Sequence, residues 1–359
     1  MRINSVRVGV GSLPMARPMR TAVHCATHTH NALVEVEADG LVGQGAALTL
    51  HRGQAEAVVA LIADLAGTLI GRDSRAVRQH WQDMRRRLSL GGTAGVGALA
   101  LSAIDTALWD LLGKHAGMPL FRLLGAERRS LPVYVQGGWL SMSSDEIVAE
   151  ANAFYDAGFR YYKMRAGSTD WKADVERVTR VSHAISERMR LLVDVNQGWA
   201  APDAERAARA LDDLGLYWLE EPIPATDLRG TAAIAQAIAT PVAAGESLPC
   251  ARAFSELVAL VAADVAMPDL GHCGGVTGLT QAAATLETTG TPLSPHLYTE
   301  VSAHVVCGCS TGLILEYMPG WWDGLFVENL EFDRGSLTPP DRPGIGFTLR
   351  EPPAHEIQP

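Results

Sequence analysis

The first fifty residues alternate. In ALVEVEADGLVGQGAAL (residues 32–48), apolar and polar positions trade places on both sides of Asp39-Gly40, which predicts two strands joined by a tight hairpin turn. From about 54 to 117 the period lengthens to that of a helix. In GVGALALSAIDTALWDLLGKHAG, Leu99, Ile104, Leu108, Leu111 and Leu112 fall on one wide apolar stripe. Residues 1–125 therefore read as an α+β domain, a meander followed by helices.

After SLPVYVQGG (130–138) the rhythm changes again. Short apolar runs (VYVQG, YYKMR, LLVDV, LYWLE, PVAAGE, DVAMPD, TPLSPH and LILEY) alternate with amphipathic helical stretches. One of these, SSDEIVAEANAFYDAG, has Ser144 as its expected N-cap and Gly158 just past its end. Eight β units of roughly 20 to 30 residues each predict a parallel α/β barrel over 126–325. Its last helix is expected to be short or missing, because LEYMPGWWDGLF is rich in turn residues. The segment 326–359 looks extended and is expected to return to the first domain.

Composition narrows the function. Apolar residues make up 47% of the 359 and charged residues 19%, as in a globular chain. The net charge of −10 argues against a nucleic-acid surface, so an anionic substrate would need local cations or a metal. MRINSVRVGVGSL lacks the apolar stretch of a signal peptide, and no uninterrupted apolar run approaches the ~18 residues of a membrane span. Five scattered cysteines suit free thiols better than a disulfide framework. Together these point to a cytoplasmic protein.

The chemistry concentrates at the strand ends: Lys163 and Arg165, Asp194 and Asn196, Glu220, Glu246, Asp269, His296 and Glu316. All should reach the C-terminal rim of the barrel, where such folds place their sites. Three carboxylates on consecutive strands (Asp194, Glu220, Glu246) would repel one another unless a cation joins them. All-oxygen ligation suits Mg²⁺. Glu221 points to the other face of its strand and reads as structural or as a salt-bridge partner. Asp269 beside His296 is the pairing wanted for a general base. Glu316, if held near a bound carboxylate, should have a raised pKa and stay protonated as a donor; otherwise it would partner a nearby arginine. Lys163 and Arg165 share one face of their strand, and two buried cations there call for an anion.

These segments, with AIDTALWDLLGK, YKMR, VDVNQ, WLEEP, GES, MPDLGHCGGVTG, SPHLYTEVSAH and LEYM in this order, resemble the mandelate racemase subgroup of the enolase superfamily over essentially the whole chain. The resemblance implies an α+β capping domain over a modified TIM barrel, (β/α)₇β. It implies one Mg²⁺ on Asp194, Glu220 and Glu246, and removal of the proton α to a carboxylate to give an enediolate. It also implies a homo-oligomer (dimer, tetramer or octamer). His296 with Asp269 would be the base, Lys163 and Glu316 would stabilise charge, and Asn196 would bind the substrate's α-hydroxyl or carboxylate edge.

The chain departs from the family pattern at one place. Where the racemase pattern has Lys-x-Lys, this sequence has Lys163-Met164-Arg165. Arginine stays protonated and is a poor base. The expectation is therefore a one-base dehydratase of a sugar acid or other α-hydroxy acid. The alternative is a racemase or epimerase, and a more remote one is a binding protein that has lost activity.

Specificity is expected from capping segments 16–31 and 47–53, with Arg20, His24 and His51 as candidate substrate contacts; solvated loop residues are the competing reading. Trp321 and Trp322 could line the pocket or pack in the core. Gly137, Gly138 and Trp139, at the end of the first barrel strand, suggest a more apolar or roomier site. The turn GHCGGVTG would lead into a helix whose backbone N–H groups approach the pocket.

Overall fold

The computed structural model describes residues 1–322 and 324–357. The capping domain opens with β1 (Ile3–Arg20), β2 (Cys25–Ala38) and β3 (Leu41–Thr49), an antiparallel meander. Asp39 and Gly40 both take positive φ, +52° and +77°, as the predicted hairpin turn requires. Residues 16–31, expected as a loop, are instead the outer arms of the β1–β2 ribbon, and only 21–24 turn. The arms carry few buried side chains, so they lack the alternation that would have marked them as strands.

Helices α1 (Arg52–Ala66), α2 (Val77–Arg87) and α3 (Val96–Ala116) cover one face of this sheet, and the short α4 (Leu120–Leu123) leads out of the domain. Val34, Val36, Val58, Ile62, Leu65, Ile104 and Leu108 form its core. α3 lies almost on the backbone of β3. A Cβ at Gly43 or Gly45 would sit 2.0 or 2.1 Å from the carbonyl oxygen of Ala107 or Ala103, so both positions must be glycine. Among the described residues α3 alone has the length and hydropathy of a membrane span, but most of it is buried in this protein's interior.

The barrel strands follow in order: β4 (Leu131–Gln136), β5 (Tyr161–Arg165), β6 (Arg190–Asp194), β7 (Trp218–Glu220), β8 (Val242–Ala244) and β9 (Val265–Ala266), all parallel neighbours. The seventh stave is the segment 293–296, held by bridges Ala266↔Leu293, Asp269↔His296 and Leu293↔Gly312. The eighth, β10 (Leu315–Tyr317), pairs parallel with β4 and closes the ring. Helices α5 (Ser144–Asp156), α6 (Trp171–Ile185), α7 (Ala201–Leu211), α8 (Leu228–Ala237), α9 (Ala251–Ala259), α10 (Val276–Glu287) and α11 (Thr299–Val306) connect them. After β10 the chain continues in turns, as expected for (β/α)₇β. The N-cap of α5 is Ser143, one residue before the predicted one, and it forms a reciprocal capping box with Glu146.

Beyond the barrel, β11 (Phe332–Asp333) and β12 (Ser336–Leu337) form a hairpin on the start of β4. β13 (His355–Ile357) then adds to the capping sheet beside β1. Buried side chains of the first domain also hold this tail: Ile345 N–H donates to Asp110 Oδ1 (2.8 Å) and Leu349 N–H to Gln44 Oε1 (2.9 Å). All five cysteines are free, and Cys307 and Cys309 are buried in packing contacts.

Candidate active site

The two-residue strand period explains why so many ionisable groups meet at one place. Tyr134, Leu192, Trp218, Ala243, Val265, Met267 and Ile314 plug the inside of the barrel, with Tyr161 packed against them. Two residues further along, the same inward face presents Lys163, Asp194, Glu220, Asp269 and Glu316, and four residues after Tyr161 it presents Arg165. The apolar plug keeps water from reaching these groups from below.

At the centre, Asp194, Glu220 and Glu246 each offer a carboxylate oxygen, all within 4.8 Å of one another. Lys163, fully buried, lies beneath them: its Nζ is 2.8 Å from Glu220 Oε1, 2.8 Å from Glu316 Oε1 and 3.3 Å from Asp194 Oδ2. It also stands 5.0 Å over the ring of Tyr134. Burial works against the lysine's charge, but Glu220 and Glu316 outweigh it and hold the ammonium well above its ordinary range. Arg165 donates through Nη1 to Asp194 Oδ2 and, at 2.7 Å, to Asn196 Oδ1. Burial alone would raise Asp194; Arg165 and Lys163 reverse that and lower it. Glu220 goes the other way, pushed well up by burial and then by the charge of Asp194.

The triad fits a hard divalent cation on its own chemistry. Its donors are all oxygen, and Glu246 Oε2 is buried without a hydrogen-bond partner. Lys163 and Arg165 offset only part of the negative charge gathered there.

On the other flank of the triad, His296 Nδ1 lies 2.7 Å from Asp269 Oδ2, and Nε2 lies 3.4 Å from Glu246 Oε2. Burial would depress the imidazole, but the charge of Glu246 and the hydrogen bond to Asp269 push it up to about 10. Asp269 is itself anchored, accepting the His272 N–H on Oδ1 at 2.8 Å.

Above these groups opens a cavity of about 420 Å³, lined by both domains. Arg165, Asn196, Glu246, Asp269 and His296 form its floor, and His24 and His51 reach it from the capping domain. Trp321 lines it as well and stacks on Trp139 at 6.3 Å, beneath which Arg165 sits 5.5 Å from the ring centroid. Trp322 packs edge-on against Tyr298.

Several expectations need correction. Arg20 is exposed and does not line the cavity. Lys163 also stays out of the cavity wall, because three carboxylates hold it below. Glu316 is not a protonated donor here: burial would raise it, but Lys163 and His296 pull its pKa below the ordinary value, and it accepts the Leu297 N–H at 2.8 Å. Its partner is a lysine rather than an arginine. Glu221 makes no salt bridge among the described residues; it accepts the Gly245 N–H at 2.9 Å, and burial pushes it up to about 8.

Gly137 and Gly138 do not enlarge the site. A Cβ on Gly137 would meet Glu150 Oε2 at 2.1 Å, and one on Gly138 would meet Met164 Cβ at 2.6 Å. The α10 N-terminus faces α3 rather than the pocket: Asp105 accepts both the Thr277 N–H and its hydroxyl at 2.7 Å.

Other residues of the site escaped sequence reasoning. His272 lines the cavity with Nδ1 2.7 Å from the Glu246 carbonyl oxygen. Trp218 donates its indole N–H to Glu220 Oε2 at 2.8 Å. Arg177 donates to the carbonyls of Arg165 (2.6 Å) and Trp139 (2.7 Å), fixing the end of β5 against the end of β4. The glycine-rich turn after Asp269 was the only signal for His272; Arg177 gave none, since it looks like any helical arginine.

Comparison with known proteins agrees along the full length. Residues 5–125 match the family model described as mandelate racemase / muconate lactonizing enzyme, N-terminal domain, and residues 146–352 match the one described as enolase C-terminal domain-like. The L-talarate/galactarate dehydratase of Salmonella typhimurium is 32% identical over 359 residues, covering 98% of this chain and 89% of that one. The 3,6-anhydro-alpha-L-galactonate cycloisomerase of Streptomyces coelicolor is 32% identical over 349 residues, covering 97% of each. Among solved structures, the L-talarate dehydratase of Polaromonas sp. JS666, complexed with Mg and L-glucarate, superposes with a TM-score of 0.92 at 33% identity, covering 99% of this chain and 98% of that one.

Proposed function

Since the chain belongs to the mandelate racemase/muconate lactonizing enzyme family of the enolase superfamily, we propose that it removes the proton α to the carboxylate of an acid sugar and completes a dehydration. Asp194, Glu220 and Glu246 would hold one Mg²⁺, which supplies positive charge beside the substrate carboxylate as that group gains electron density. Relatives of this chain are acid-sugar dehydratases and epimerases, and several of their structures carry magnesium.

The observation that carries the choice of dehydration is the asymmetry across the triad. On one flank stands an imidazole oriented by Asp269; on the other stands a guanidinium tied to Asp194 and Asn196. Only the first can serve as a base near neutral pH, once a cation held by Glu246 offsets the carboxylate charge that keeps the imidazole protonated in the metal-free site. In this reading His296 Nε2 removes the α proton. The C–O bond to the β-hydroxyl then breaks, and the imidazolium returns its proton to the departing oxygen, which leaves as water. The enol that remains becomes a 2-keto-3-deoxy acid. Arg165 and Asn196 orient the acid end of the substrate.

Proton NMR in D₂O with Mg²⁺ and a panel of acid sugars tests this. Loss of the α proton with a new deuterated 3-deoxy signal is the expected result. Loss of the α proton with the carbon skeleton intact and both configurations appearing would make the enzyme a racemase or epimerase.

A further inference from the structure

Resting on the reading above, we propose that the acid sugar accepted here carries a single carboxylate, at its reacting end, and seats an uncharged hydroxyl-bearing end against the capping domain.

The permanent positive charge sits at one end of the cavity only. Among the described residues lining it, Arg165 is the only lysine or arginine, and it belongs to the floor. The capping wall offers Thr21, His24, Thr49, His51 and Gln54 instead, set among Met19, Leu48 and Leu99. These are hydroxyl, imidazole and amide groups, suited to exchanging hydrogen bonds with neutral hydroxyls. The two arginines next to lining residues are turned elsewhere. Arg52 pairs through Nε with Glu56 Oε1 at 2.9 Å, and Arg20 is exposed outside the cavity. Desolvation, with the charges of His51 and Arg165, opposes protonation of His24 despite the attraction of Glu246.

A second carboxylate at the far end would therefore lose its water without meeting a permanent positive charge, and it would lie over a floor already rich in carboxylates. A primary alcohol at the same position meets neither penalty. The relatives that act on galactarate and talarate take diacids, so a monoacid preference separates the present chain from them.

The test uses the Mg²⁺-loaded full chain and pairs of six-carbon acids that differ only at C6: gluconate with glucarate, galactonate with galactarate, and the remaining hexonate and hexarate pairs. α-Proton loss in D₂O is followed for each. A kcat/KM favouring the monoacid by about tenfold or more is expected in the pair with the active configuration. Gln54→Arg, an exposed position on the cavity wall, should shift that ratio toward the diacid by a similar factor. Equal use of both acids, or preference for the diacid, would overturn the inference and leave α-proton abstraction standing. If no acid in the set loses its α proton while a thermal shift shows Mg²⁺ bound, the underlying reading fails and this inference falls with it.

Discussion

Asp269 Oδ2 lies 2.7 Å from His296 Nδ1, on the side of the ring away from the triad. In the neutral ring that contact would keep the proton on Nδ1 and leave Nε2 as the acceptor toward the cavity floor. Asp269→Asn keeps the size of the side chain but can hold either tautomer. Its kcat for α-proton exchange should fall by about a hundredfold or more. KM and the thermal midpoint should change little, because Asn can still accept the His272 N–H. A loss of less than threefold would mean that the imidazole needs no orienting partner.

Lys163 is the counter-ion of the metal-free triad, touching Asp194, Glu220 and Glu316 at once. Lys163→Met leaves buried carboxylates without that charge, a change that costs roughly 3–5 kcal/mol when one partner of a buried pair is lost. The metal-free variant should melt lower than the native protein and show no activity. Its thermal midpoint should also rise more on adding Mg²⁺, since the ion no longer competes with an ammonium for the same oxygens. Glu246→Gln gives the opposite control: a smaller Mg²⁺ shift in an otherwise native fold. Differential scanning fluorimetry across a Mg²⁺ titration reads both, and an unchanged shift in Glu246→Gln would exclude that residue as a ligand.

Much of this site is legible in the amino-acid sequence, for a physical reason. The strand period fixes side-chain parity, so a polar residue two places after an inward apolar one must face the same way, as Leu192 and Asp194 or Trp218 and Glu220 do. Pairing across the chain is not legible in the same way. Nothing near Lys163 in sequence says that it lies under the triad rather than beside the substrate, because its partners come from three other strands. The arms of the β1–β2 ribbon look like loops in sequence because they bury few side chains and so carry no alternation. The glycines at 137 and 138 suggest space, whereas Glu150 and Met164 fill it.

Arg165→Lys tests the asymmetry of the site. A lysine there would keep a positive charge next to Asp194 and Asn196 but could give up its proton. The native enzyme should exchange only the α proton presented to His296. If the second face of the substrate is open to this side chain, the variant should exchange the α proton of both epimers, read by NMR in D₂O. Native enzyme that already exchanges both epimers would show that Arg165, or solvent, serves the second face and that dehydration by one base is the wrong description.

His304 carries a pH dependence away from the site. It is fully buried, accepts the Phe121 N–H on Nδ1 at 3.2 Å and lies 3.0 Å from the Ile345 carbonyl oxygen through Nε2. Burial lowers its pKa from 6.5 to about 4, only partly offset by the Ile345 carbonyl. The unfolded chain therefore takes up a proton below 6.5 that the folded chain refuses until about 4. The stability this contributes is complete above 6.5 and is lost as the pH falls through that window. The full loss is about 3 kcal/mol, from about 1.4 kcal/mol for each unit of depression. His304→Gln can accept from Phe121 and donate to Ile345 without titrating. Urea midpoints measured at pH 7 and pH 4.5 should fall further for the native protein than for this variant. Equal falls would place the acid sensitivity elsewhere.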